Sequence, residues 1–337
     1  MAKSHWLIIL IVLAGFFRID DSVFQEELAG MVLDASARRT KLPTDLGGEV
    51  REFRWSWKKR PVSVVYEVIG TGHPLLLLPA FSSVSTRLEM AELARLLAAE
   101  YQVFVLDWPG FGQSARPAIA YSPAVYRTLL KDFVRSTFEQ PVVVIAAGHA
   151  AGYVMELAQR QPIPWSWVVL TAPTWRGPFP TAFGDNRWLY DLLYQFIRFP
   201  IIGHLLYALN TLPPFLRLML RRHVFVEPQH ITHDLMRQKW RTTQRRGARF
   251  ASAAFVTGNL DLIRTQEEWL SWFQPLPVPT MIVIGEEMPP RSRAEVEVLA
   301  HFSAVQVYRM PGSLGLHEEY PKQLAEGILP FLGKYLS

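Results

Sequence analysis

The chain has 337 residues, half of them hydrophobic, and its 35 Lys plus Arg against 30 Asp plus Glu leave a net charge of +5. That length is enough for one large core carrying an insertion, and so diffuse a charge excess gives no footprint for nucleic acid. The absence of cysteine excludes disulfides, thiolate metal sites, thiol nucleophiles and cysteine-linked lipid anchors.

In chain order, Lys3 precedes an apolar run over residues 6–17. The run is shorter than the roughly 20 residues of a spanning helix and has the length of a signal-peptide core. It is expected to anchor the protein at a membrane, with Arg18 at the headgroups, or to export it; the bland alternative is a start placed too early, with Met31 also preceding the region that looks folded. Residues 18–60 mix charges with scattered apolar side chains and read as a linker. From there, "VSVVYEVI" (62–69), "PLLLLPA" (74–80), "VFVLD" (103–107), "VVVIA" (142–146), "WVVLT" (167–171), "PTMIVIG" (279–285) and "AVQVYR" (304–309) have strand composition. Helical patterns alternate with them. Thr86 and Glu89 carry the spacing of a capping box that opens the first helix. Apolar strands alternating with helices imply an α/β fold with a mostly parallel sheet covered on both faces.

The alternation stops over residues 173–277. Here a Leu-, Tyr- and Phe-rich stretch, punctuated by Pro200, Pro213 and Pro214, reads as short helices forming a cap inserted into a core of residues 61–172 and 278–337. Arg198, Arg217, Arg221 and Arg222 around that apolar body suit a helix resting among lipid headgroups. The basic stretch 237–250 fits a solvated face or an anionic-lipid contact better than nucleic acid, since no reading module accompanies it.

Three stretches, "LLLLPAFSSVSTRLEM", "VLDWPGFGQSARP" and "AAGHAAGYVMELA", resemble in order and spacing the oxyanion loop, the following strand-loop signature and the nucleophile elbow of the α/β-hydrolase superfamily (AB hydrolase-1 type). Together with "TAPTWRGPFP", "GARFASAAFVTG" and "PGSLGLHEEYP", they resemble a branch found in cyanobacteria and related phototrophs. The resemblance implies a doubly wound sheet with a helical cap and a Ser-His-acid triad. At the positions it assigns, however, the nucleophile is Ala150, the acid Met288 and the histidine Leu314. None of the three can attack, or hold or move a proton.

The resemblance also implies oxyanion donors at the backbone N–H of Phe81 and Ala151, with Ser82, Ser83 and Ser85 lining the pocket. A surviving chemistry would have to use His149, Asp107, or a dyad of Glu286 or Glu287 with His317. Each has a structural reading as well: His149 orienting backbone, Asp107 holding the "PGFG" turn, the serines serving as turn and capping residues. The leading expectation is a membrane-associated pseudoenzyme whose pocket holds a hydrophobic small molecule or lipid, or whose surface docks a protein partner. Neither a cofactor nor a metal is expected. The first rival is an atypical hydrolase or lyase acting on a hydrophobic ester-like substrate. The second is a structural subunit of a membrane complex, marked by a filled pocket and a large apolar outer patch.

Overall fold

The computed structural model describes residues 46–336. The apolar run 6–17 and the first part of the expected linker lie outside the described residues.

Eight strands form one sheet in the order β1-β2-β4-β3-β5-β6-β7-β8. They are β1 (Glu49–Trp57), β2 (Arg60–Ile69), β3 (His73–Leu78), β4 (Tyr101–Leu106), β5 (Val142–Ala147), β6 (Trp165–Thr171), β7 (Thr280–Gly285) and β8 (Val305–Met310). β1 pairs antiparallel with β2, and β2 with β4; every other pairing is parallel. The parallel centre explains the sequence pattern. All six residues of β5 and all six of β7 are buried, which requires apolar side chains on both faces of the pleat. Helices supply the cover: Pro123–Thr137 packs on Ala150–Ala158, and Ala91–Leu97 on Pro321–Leu336.

One expectation fails here. Residues 49–57 are not linker but the edge strand β1, joined to β2 through Lys58 and Lys59, both at positive φ (47° and 65°). A two-residue turn with both φ positive matches the right-handed twist of a hairpin. The strand escapes pattern reading because it has one buried residue, Trp55, and its first four side chains are exposed. It is held by particular contacts. Trp55 Nε1 donates to Asp132 Oδ2 at 2.9 Å, and Phe53 meets the edge of Phe133 at 5.5 Å.

Between β6 and β7 the described residues contain helices only: Pro178–Phe183, Arg187–Arg198, Pro200–Asn210, Pro213–Met219, His233–Thr243, Ala248–Val256 and Gln266–Ser271, with shorter turns between them. Prolines stand in the first turn of three of these, where their missing N–H costs no hydrogen bond. No single helix among the described residues is long and apolar enough to cross a membrane.

Candidate functional site

The strand-to-helix turn after β5 is where this fold presents its nucleophile. Its sharp point is Gly148, at φ +52°, a left-handed conformation that a side chain resists. His149 is already right-handed at φ −69°, ψ −17°, and Ala150 opens the helix Ala150–Ala158 and is fully buried. This corrects the expectation built on Ala150 by two residues. The Gly148 N–H donates to the Thr171 carbonyl (3.0 Å), while its own carbonyl accepts from Ala151 and Thr174 (both 3.2 Å). A Cβ on Gly148 would face the oxyanion loop, 3.2 Å from the Ala80 Cβ. At either position, glycine or alanine, the apex offers no hydroxyl.

The oxyanion expectation shifts with the apex. The Ala151 N–H is spent on Gly148, so it is not a free donor. In this fold the second donor is the N–H after the apex, here that of His149. Neither it nor the Phe81 N–H has a backbone acceptor among the described residues.

Aromatic rings fill the space beside the turn. The Phe81 ring stacks on Trp108 (4.9 Å between centroids), meets Tyr126 edge-on (4.8 Å), and lies near Tyr153 (5.5 Å), Phe111 (5.6 Å), His149 (5.9 Å) and Phe255 (6.4 Å). Phe81, Trp108, His149 and Tyr153 are all buried. Phe255 and Leu260 reach down from the segment between β6 and β7. The Leu260 carbonyl accepts from both the Tyr153 hydroxyl (2.7 Å) and His149 Nε2 (3.1 Å). Two surface depressions, one by Arg176 and Arg291 and one by His73 and Phe138, touch neither Gly148 nor Phe81. The second lies at the starts of β3 and β4, whereas ligands in open α/β sheets bind beyond the strand ends.

The remaining candidates are dispersed into structural roles. Asp107 is fully buried and accepts from the Arg87 backbone N–H (2.6 Å), Arg87 Nη1 (2.6 Å) and the Gln113 N–H (2.8 Å). Glu287 is exposed, and its Oε2 accepts from the Gly312 N–H at 2.6 Å. His317 is buried, with Nε2 3.3 Å from Glu89 Oε1. The expected Glu287–His317 dyad is therefore not formed, because each side chain is engaged elsewhere. Glu286 is exposed as well. Ser82 Oγ accepts from the Val84 N–H (3.2 Å), a turn role, and Ser83 is half-buried in the same loop. Met288 is buried. Leu314 sits on a loop tied to the cap, its N–H donating to the His223 carbonyl (3.2 Å).

Glu89 departs from its expected part in a capping box. Thr86 Oγ1 accepts from Leu88 N–H rather than the third residue's, and the Glu89 carboxylate turns away to take the Ala80 N–H (2.7 Å), Ser85 Oγ (2.6 Å) and His317. Burial works to raise its pKa, but the His317 contact, the Lys239 charge and the Ser85 hydroxyl prevail and lower it. This cluster clamps the oxyanion loop to the loop after β8. Ser85 Oγ faces Glu89 and the Ala80 carbonyl, not the imidazole.

Asp261 carries no sequence signal, yet it joins the turn to the cap. Its fully buried carboxylate takes the Gly177 N–H (2.8 Å) and lies 3.2 Å from Arg187 and 3.7 Å from His149. Burial lowers the His149 pKa to about 4, against the Leu260 hydrogen bond that raises it. Burial lifts Asp261 to about 7 despite Arg187 and the Gly177 N–H. The two contributions to stability oppose each other. Folded His149 binds fewer protons than the unfolded chain between about pH 4 and its ordinary value, so its part grows as pH rises. Folded Asp261 binds more protons than the unfolded chain from its ordinary value up to about 7, so its part shrinks. His149→Phe is expected to leave the Asp261 part alone, so that the urea midpoint falls from pH 5 to pH 7 while the native protein's changes less. Parallel midpoints for the two proteins would refute this.

The family model described as alpha/beta hydrolase family matches residues 70–326. Together with the sheet and the turn at Gly148, this places the chain in that family: it is an α/β hydrolase by fold and descent. Among solved structures it is similar to a bromoperoxidase from Bacillus anthracis, at 16% identity and TM-score 0.64, covering 84% of this chain and 100% of that one. It is also similar to a hydrolase from Pseudomonas aeruginosa, at 14% identity and TM-score 0.66, covering 85% of this chain and 99% of the other. No curated protein matches the sequence. Likenesses at these identities concern the fold alone.

Proposed function

We propose that this α/β hydrolase does not hydrolyse, and that it serves as a membrane-associated docking scaffold for a protein partner. The observation that carries the reading is the apex itself: a glycine at φ +52° where the nucleophile would stand, beside a Phe81 ring packed among six others. Covalent catalysis needs a nucleophile within hydrogen-bond reach of a base. The nearest imidazole, His149, donates to a backbone carbonyl and is held neutral by burial.

The same packing favours a scaffold over a carrier. A site for a hydrophobic small molecule is a concave pocket lined by apolar walls, and here the wall residues touch one another. The atypical hydrolase reading asks Asp107 or His317 to leave buried bonds that hold loops together. Turnover of a panel of carboxylic esters and thioesters tests the proposal. The native chain is expected to show no rate above buffer, with His149→Ala and His317→Ala indistinguishable from it. Turnover that either substitution abolishes would overturn it.

A further inference from the structure

The most unusual surface of the molecule lies on the cap. Ten large apolar side chains stand more than a third exposed among the described residues, and nine of them fall between residues 183 and 212. On the helix Arg187–Arg198, Trp188 (63% exposed) and Leu192 (42%) lie one turn apart. On Pro200–Asn210, Ile201 (85%), Leu205 (61%) and Leu209 (40%) repeat every fourth residue and so share a face. Phe199 stands at the break between them, 58% exposed. The first helix already buries Tyr190, Tyr194 and Ile197, so its outward side chains are a second apolar face and not a core face left uncovered.

The two helices meet at a bend of 106°. Close approach at the bend depends on Gly203, where a Cβ would fall 1.9 Å from the Ile197 carbonyl oxygen. The bend thus presents an exposed apolar corner on the cap.

Charge says what the corner fits. Residues 187–226, the corner and the segment that follows it, contain five arginines, Arg187, Arg198, Arg217, Arg221 and Arg222, against one acidic residue, the exposed Asp191, so this segment holds +4 of the chain's net +5. Arg221 and Arg222 are exposed. An apolar face flanked by arginines is the pattern of a helix lying in the headgroup layer, its side chains entering roughly 5–10 Å. Arginine stems snorkel toward phosphates, and an anionic leaflet attracts each basic group near its surface. A second copy of this chain would instead bring like charges together.

We propose that the corner formed by Arg187–Arg198 and Pro200–Asn210 enters the headgroup layer of an anionic phospholipid bilayer. This rests on the membrane-association part of the proposed function and not on the loss of hydrolysis.

The natural lack of cysteine permits a direct test on the full chain. Ile201→Cys, Leu205→Cys and, as control, Glu326→Cys on the exposed side of Pro321–Leu336 are each labelled with an environment-sensitive fluorophore. They are mixed with vesicles of phosphatidylcholine and phosphatidylglycerol at roughly 7:3. At 201 and 205 the emission is expected to shift to the blue and rise roughly twofold or more, and to be quenched by spin-labelled lipid. The control stays unchanged, and the gain shrinks in pure phosphatidylcholine and at high salt. If the protein floats with vesicles while labels 201 and 205 stay unmoved, the association runs through another segment and the corner proposal fails. If the protein does not float at all, both fail. A change equal in neutral vesicles overturns the anionic assignment. A change without vesicles that grows with protein concentration points to a second copy and overturns the proposal.

Discussion

Arg87→Ala is expected to destabilise the protein by about 3–5 kcal/mol, enough to leave a marginally stable domain largely unfolded. Arg87 is 1% exposed, as are few arginines anywhere. Its Nε lies 2.9 Å from Glu67 Oε2 and its Nη1 2.6 Å from Asp107 Oδ2, and both carboxylates are fully buried. Removing the guanidinium strands two negative charges away from water. Backbone donors soften the loss without cancelling it: Glu67 keeps the N–H groups of Leu46 (2.7 Å) and Gly48 (2.9 Å), and Asp107 keeps those of position 87 itself (2.6 Å) and Gln113 (2.8 Å). Arg87→Lys is expected to recover only part, because an ammonium cannot span both carboxylates as the planar fork does. Urea unfolding followed by tryptophan fluorescence measures the effect. A midpoint within experimental error of the native value would show that the cluster is not what fixes the loop after β4.

Phe81→Ala is expected to cost about 3–5 kcal/mol, the range for deleting a buried ring whose surroundings relax only in part. The residue is 2% exposed and touches rings from three directions. This change also probes the site. The void would be walled by Trp108, Tyr126, Tyr153 and Phe255, a dry apolar hole of the kind that accepts a benzene-sized guest. Benzene should then raise the unfolding temperature of the variant, by mass action on the folded state, and leave that of the native protein unmoved. Stabilisation of the native protein by benzene would mean that an open cavity already exists beside Gly148 and would revive the carrier reading.

How much of this was legible in the sequence depended on what each segment buries. β5 is apolar throughout and β7 is so but for Thr280, because both faces are buried, so their composition alone marks them. β1 gives only Trp55 to the core, and an edge strand with one buried residue looks like a charged linker. The turn after β5 posed a subtler problem. "GHAAG" contains two glycines at the family's spacing, which sets the apex on Ala150; only the backbone reveals that the left-handed residue is Gly148 and that the helix has already begun at Ala150.

Glu89 shows a second limit of local pattern. Three residues after Thr86 it has the spacing of a capping partner, but tertiary contacts with Ala80, Ser85 and His317 outbid the local one. Asp261 had no pattern at all, since its partners His149, Gly177 and Arg187 lie far away in the chain. The residue types at the family's spacing, Ala150, Met288 and Leu314, were legible because they are read directly from the sequence. The filling of the space beside it was not, because Phe81 and Phe255 meet only through the fold.

The most direct test of the central claim, that no nucleophile stands at the turn, is covalent capture. The native protein is incubated with a fluorophosphonate, which phosphonylates activated serines, and its intact mass is measured. The mass is expected to stay unchanged, as the glycine apex and the engaged hydroxyls of Ser82 and Ser85 require. A single stoichiometric adduct on Ser82, Ser83 or Ser85, lost in His149→Ala or His317→Ala, would contradict the account.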